Sequence, residues 1–150
     1  DEVEQFAHLI RAMLDRDAIK FRRTAEEAKV LRPGAPFSDE EIFDWFAAYY
    51  ELILENEPLT VTPEYSARLL FKMFDARTNA ILKHANVPPT FALIQRINLG
   101  LFSLMGKLEA TANWRAISEE LWVWTDAGPS TPIGEDEAAW VASGVSGAGR

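Results

Sequence analysis

The sequence predicts an all-α protein: a compact, non-symmetric bundle of about seven helices over residues 1–126, followed by a linker, a short helix and a tail over 127–150. Three observations carry this reading. Apolar residues recur at three-to-four spacing along nearly the whole chain. Helix-opening residues precede several of those runs. The alternating pattern of a half-buried strand is nearly absent, and the one tempting run, Leu59-Thr60-Val61, is too short to weigh.

The first helix is marked by Val3, Phe6, Ala7, Ile10, Met13 and Leu14, which fall on one stripe. A second, more polar helix is expected over Asp17–Val30, with Ala18, Phe21, Ala25 and Ala28 facing inward, before Pro33-Gly34-Ala35-Pro36 breaks the chain. Ser38-Asp39-Glu40-Glu41 fits a capping box, with Phe37 and Ile42 at hydrophobic-staple positions. That third helix should run to about Leu54 and bury Ile42, Phe46, Tyr49, Tyr50 and Ile53. Thr62-Pro63 opens a fourth, with the threonine as N-cap and the proline at the first helical position. A short fifth is expected near Arg77–Ala85. The longest follows Pro88-Pro89, from about Thr90 to Leu108, with Ile94, Ile97, Leu101, Leu104, Met105 and Leu108 on one side. Gly100 and Gly106 within it each cost about 1 kcal/mol relative to alanine, a cost that close approach of another backbone would explain. Asn113 caps a seventh helix bearing Trp114, Ile117, Leu121 and Trp124. Gly128–Pro132 reads as linker, Glu135–Val141 as one or two helical turns, and Ser143–Arg150 as disordered.

Composition excludes several functions. The chain has 150 residues, 48% hydrophobic and 25% charged, which suits a globular domain with one real core. It has no cysteine, so disulfides, thiolate metal sites and a cysteine nucleophile are absent. A net charge of −8 is the wrong sign for a general nucleic-acid binder. No signal-peptide pattern opens the chain, which begins without methionine and so reads as a piece of something longer. The longest apolar stretch, Phe91–Leu108, is interrupted by Gln95, Arg96, Asn98 and Lys107 and reads poorly as a membrane span. A cytoplasmic location is expected, with contact at a membrane surface as an alternative.

Chemical motifs are sparse. The two histidines, His8 and His84, lack the Glu-x-x-His pattern of helical metal sites, and an exposed or half-buried histidine is the expected reading of each. Gly100–Leu108 superficially suggests a phosphate loop, but it has five residues between the glycines and leucine after Lys107, so a core helix is expected instead. The carboxylates Asp39-Glu40-Glu41 and Glu119-Glu120 are explained by capping and solvation. The basic run Arg16, Lys20, Arg22, Arg23, Lys29, Arg32 is interleaved with acids and reads as a solvated face. No catalytic, cofactor-binding or metal-binding residue is assigned. Four residues stand out as structural or interaction candidates. Arg96 and Asn98 sit in an apolar helix, where a charge must be paired or reach water, and a salt bridge fixing two helices is expected of Arg96. Trp45, among Phe43, Phe46, Tyr49 and Tyr50, and Trp114, near Trp122 and Trp124, mark helices that are either central or covered by a neighbour outside this chain.

Pro88–Leu101 and Leu108–Ile117, with Phe6–Asp17 and Glu64–Leu69, resemble the distal C-lobe of the AarF/UbiB family of atypical, protein-kinase-like proteins, over roughly residues 1–126. The resemblance implies a family that binds ATP and magnesium and supports isoprenoid-quinone biosynthesis or lipid homeostasis. It also implies that the nucleotide loop, strand lysine, catalytic-loop aspartate and asparagine, and the Asp-Phe-Gly aspartate lie outside this chain. The expected function is therefore that of a scaffold or interaction surface, inactive alone, whose partner is the missing N-terminal kinase-like portion. A different reading is a stand-alone helical interaction or small-ligand module, such as a regulator's sensor half. An enclosed apolar pocket lined by Phe43, Phe46, Tyr49, Trp114 or Trp124 would favour the module; an apolar face exposed on one side would favour the C-lobe reading.

Overall fold

A computed structural model describes residues 2–74, 80–86 and 89–144, without the side chains of residues 2, 73, 74 and 89–95. The described residues form seven α-helices: α1 Glu2–Leu14, α2 Ala18–Glu27, α3 Asp39–Leu54, α4 Pro63–Phe74, α5 Pro89–Lys107, α6 Trp114–Leu121 and α7 Pro132–Ala142. A four-residue 3₁₀ turn, Ala80–Lys83, stands in the region expected to hold a short helix; Arg77, where that helix was expected to start, lies outside the described residues. The architecture is all-α, as the periodicity predicts, with one small addition. Leu59-Thr60 (β1) pairs antiparallel with Thr111-Ala112 (β2), Leu59 opposite Ala112 and Thr60 opposite Thr111. Two residues per strand carry no readable alternation, which is why the sequence alone gave them no weight.

The helix starts are set locally. Ser38 Oγ accepts from Glu41 N at 3.1 Å and Ser38 N donates to Glu41 Oε2 at 2.8 Å, the reciprocal pair of a capping box. Thr62 Oγ1 accepts from Tyr65 N, and Asn113 Oδ1 accepts from Ala116 N. Thr131 accepts from Gly134 N with Pro132 in the first turn, so α7 begins at Pro132 rather than at Glu135. The ends are less legible. Arg16, Lys29 and Glu109, just past α1, α2 and α5, adopt positive φ (55°, 59° and 47°), where a glycine would have announced the stop. Helix α6 stops at Leu121, so Trp124 is not on the helix expected to carry it.

Two hydrophobic clusters share α3. In the first, Leu9, Ala12 and Met13 of α1 meet Phe21 and Ala25 of α2, Ile42 of α3, and Leu31 and Ala35 of the α2–α3 loop. In the second, Leu52 of α3 meets Val61, Tyr65 and Leu69, with Phe102, Met105 and Trp114 packed against them. The aromatic crowding of α3 thus reflects a central helix. Its buried positions are Ile42, Trp45 and Leu52, whereas Phe46, Tyr49, Tyr50 and Ile53 are only half-buried. On α1 the buried set includes Leu9 and Ala12, while Val3 and Phe6 of the expected stripe are exposed.

Arg22 joins the α2–α3 loop to the first cluster. Its guanidinium donates to Ala35 O (2.9 Å), Phe37 O (2.8 Å), Asp39 Oδ1 (3.1 Å) and Glu26 Oε1 (3.2 Å). The basic run is therefore not uniformly a solvated face: one member is a clamp, and its fork geometry is what allows four acceptors at once.

Candidate interaction surface

The face of α5 that periodicity marks as buried is the one the structure leaves open. Ile97, Leu101, Leu104 and Leu108 fall at i, i+4, i+7 and i+11, and are between 50 and 68% exposed. At 100° per residue they occupy one narrow stripe, with Arg96, Ser103 and Lys107 along one flank and Asn98 on the other. Of the stripe's other expected members, Met105 packs into the second cluster beside Phe102, and the side chain of Ile94 lies outside the described residues. Helix α5 therefore has two apolar faces. One, carrying Phe102 and Gly106, seats on α4; the other is uncovered among the described residues.

Close packing on α4 depends on Gly106. Ser66 of α4, buried, donates its hydroxyl to Phe102 O at 2.7 Å, and a carbonyl in a helix lies beneath residue i+4. A Cβ at position 106 would overlap Ser66 Oγ and stand 3.1 Å from Thr62 O. At Gly100 nothing lies within 4 Å, so the expected close approach holds for one glycine and not for the other.

Arg96 and Asn98 are both exposed. Among the described residues Arg96 makes no ion pair: its guanidinium reaches water, which meets the cost of the charge without the interhelical salt bridge expected of it. Trp114 ties α6 to β1 through Nε1, which donates to Leu59 O at 2.8 Å. Beside it Arg115 pairs with Glu119 (2.7 Å) and donates to Ile53 O. Trp122 and Trp124 stack at 5.3 Å, with the Arg115 guanidinium 5.7 Å from the Trp122 ring and that of Arg11 5.2 Å from Trp124, which links α1 to the segment after α6.

Trp45 is buried between α3 and α4. Its ring meets Phe46 and Tyr49 edge-on at 4.8 and 5.1 Å, and the Lys72 ammonium lies 5.8 Å from both the Trp45 and Tyr49 centroids. Trp45 Nε1, Tyr49 Oη and Tyr65 Oη are sealed from solvent with no hydrogen-bond partner among the described residues. Burial pushes the Tyr49 phenol up to about 12 and raises Tyr65 further, the latter helped by the charge of Glu51. Burial and the neighbouring Arg68 lower the Lys72 ammonium. The sequence reading did not single out Tyr65, Arg68 or Lys72, which converge on α3 only through tertiary packing.

The remaining titratable candidates have structural placements. His84 stacks edge-on with Phe37 at 5.7 Å, and its carbonyl accepts from Arg32 N; His8 is exposed. Asp39 serves Arg22, Glu41 the capping box, Glu119 Arg115, and Glu120 accepts from Ser130 N. Among the described residues no three His, Asp or Glu side chains come together in a way that could hold a metal, and no helix is long and apolar enough to cross a membrane. Compared with family models, curated proteins and solved structures, the chain matches none.

Proposed function

We propose that this chain works as a helical scaffold: the distal C-lobe portion of an AarF/UbiB-like protein, docking onto the kinase-like portion through the uncovered face of α5. The observation that carries the reading is the exposed row Ile97, Leu101, Leu104 and Leu108 on a helix whose opposite face is already seated. Covering the half or more of each side chain that faces water would favour the docked state by about 3–7 kcal/mol, at about 1.5–3 kcal/mol per fully buried side chain. Phe43 and Phe46, by contrast, pack against Phe21 at 5.7 and 5.4 Å, and Trp114 is held to β1, so these rings fill space rather than enclose a pocket. In this reading ATP and magnesium belong to the whole family member, together with any role in quinone or lipid metabolism. No step of phosphate transfer is assigned to residues of this chain.

Two measurements test the reading. Titration calorimetry with Mg-ATP should show no binding tighter than about 100 µM, roughly −5.5 kcal/mol; a tighter constant would place nucleotide machinery within these residues. The double variant Leu101→Glu/Leu104→Glu should melt within about 2 °C of the parent, as exposed substitutions do. A drop of about 10 °C or more would mean that the row is packed, and the docking reading would fall.

A further inference from the structure

The uncovered face of α5 has a shape and a charge that select what can cover it. Ile97, Leu101, Leu104 and Leu108 are four, three and four residues apart, the alternation of core positions in a coiled coil. At 100° per residue they span an arc of about 60°, narrower than the arc of about 100° or more that a helix turns toward a broad core. A strip this narrow fits the ridge of one other helix. Gly100 lies beside the strip, about 60° round from Ile97, and is exposed. A Cβ there would meet nothing within 4 Å, so nothing in the described residues explains a glycine that weakens the middle of the helix. A second backbone coming close at that point would explain it. The same flank carries Arg96 and Lys107, both exposed, and among the described residues neither makes an ion pair. Helix α5 contains no Asp or Glu, although the whole chain has a net charge of −8.

We propose that the element covering α5 is a single amphipathic α-helix of the partner portion, its leucine-type residues at 3.5-residue spacing, its backbone closest at Gly100, and carboxylates along the edge that meets Arg96 and Lys107. The proposal rests on the docking role given to α5 above and adds the chemistry of its partner. Interhelical pairs of opposite charge beside an apolar seam fix which helices associate and in which direction. A second copy of this chain does not fit. Its own α5 offers no carboxylate, and an antiparallel pair of α5 helices would set one cationic flank against the other.

The test is an NMR titration of the ¹⁵N-labelled chain with two alanine-rich helical peptides that carry leucines at 3.5-residue spacing, one with glutamates beside the leucines and one with lysines. The glutamate peptide should shift the backbone amides of Ile97, Gly100, Leu101 and Leu104 saturably, with Kd of about 300 µM or tighter, and the lysine peptide should bind about fivefold more weakly. Arg96→Glu/Lys107→Glu should reverse that preference. Gly100→Gln should raise the melting temperature of the chain alone, since glutamine is the better helix former, yet weaken the glutamate peptide about tenfold by holding the two backbones apart. Sedimentation should show a monomer at about 100 µM. The proposal is overturned if the glutamate peptide gives no saturable shifts at about 2 mM, if the lysine peptide binds equally well, if the charge reversal leaves the preference unchanged, if Gly100→Gln binds as the parent does, or if the chain forms a dimer that Leu101→Glu/Leu104→Glu abolishes. The melting temperature of Leu101→Glu/Leu104→Glu reports separately on whether the row is open. A chain with an open row that fails the peptide tests retains the docking reading and loses only the acidic helix.

Discussion

Replacing each of the two glycines of α5 with alanine should move stability in opposite directions, and the magnitudes can be worked from the α4–α5 contact. At Gly100 the new methyl meets nothing within 4 Å, so Gly100→Ala gains only the helix-propensity difference, about 1 kcal/mol. At Gly106 the methyl overlaps Ser66 Oγ and sits 3.1 Å from both Ser66 Cβ and Thr62 O. Overpacking of this kind costs about 1–3 kcal/mol, and displacing the Ser66 hydroxyl from Phe102 O costs about 1 kcal/mol more. After the propensity gain, Gly106→Ala should be destabilised by about 2 kcal/mol, a fall in melting temperature of about 4–8 °C. Ser66→Ala alone should cost about 1 kcal/mol. The double variant Gly106→Ala/Ser66→Ala should lose less than the sum, with a coupling of about 1 kcal/mol, because part of the obstruction is gone. Urea denaturation followed by helix circular dichroism measures all four proteins against the parent. If Gly106→Ala is as stable as Gly100→Ala, or if the double-variant cycle closes with no coupling, the account of how α5 seats on α4 is wrong.

Three further outcomes are expected. The chain's three tyrosines, Tyr49, Tyr50 and Tyr65, are all raised by burial, Tyr49 to about 12. The folded state therefore keeps phenol protons that the unfolded chain begins to release near pH 10, and stability should fall as pH climbs from about 10 toward 12; a tyrosinate absorbance step near pH 10 with helix content intact would contradict this. Ser38→Ala removes one arm of the capping box on α3 and should cost about 1 kcal/mol in urea denaturation, whereas Glu41→Gln, which can still return a hydrogen bond, should cost clearly less. Arg22→Met strands the carbonyls of Ala35 and Phe37 and the carboxylate of Asp39 and should cost about 2–4 kcal/mol. Arg22→Lys should recover less than half of that loss, since one ammonium cannot span four acceptors; equal stability of the lysine variant and the parent would dismiss the clamp.

What the sequence determined by itself is the set of helices and most of their beginnings. Ser38 with Glu41, Thr62 with Pro63, and Asn113 each act on backbone groups within four residues, so their free energies belong to the local chain and can be read from it. The ends of α1, α2 and α5 were harder to place, because Arg16, Lys29 and Glu109 hold the left-handed turn where no glycine signals it. Tertiary structure alone decided which apolar face of α5 is covered: Phe102 and Met105 pack against the second cluster, whereas Ile97 and Leu101, equally apolar, stay exposed. It likewise decided that Arg96 meets water while Arg22, amid a run of surface charges, grips carbonyls 13 and 15 residues away. Periodicity states that a residue can be buried. The neighbour that buries it comes from chain segments far apart in sequence, and for the outer face of α5 the described residues contain no such neighbour.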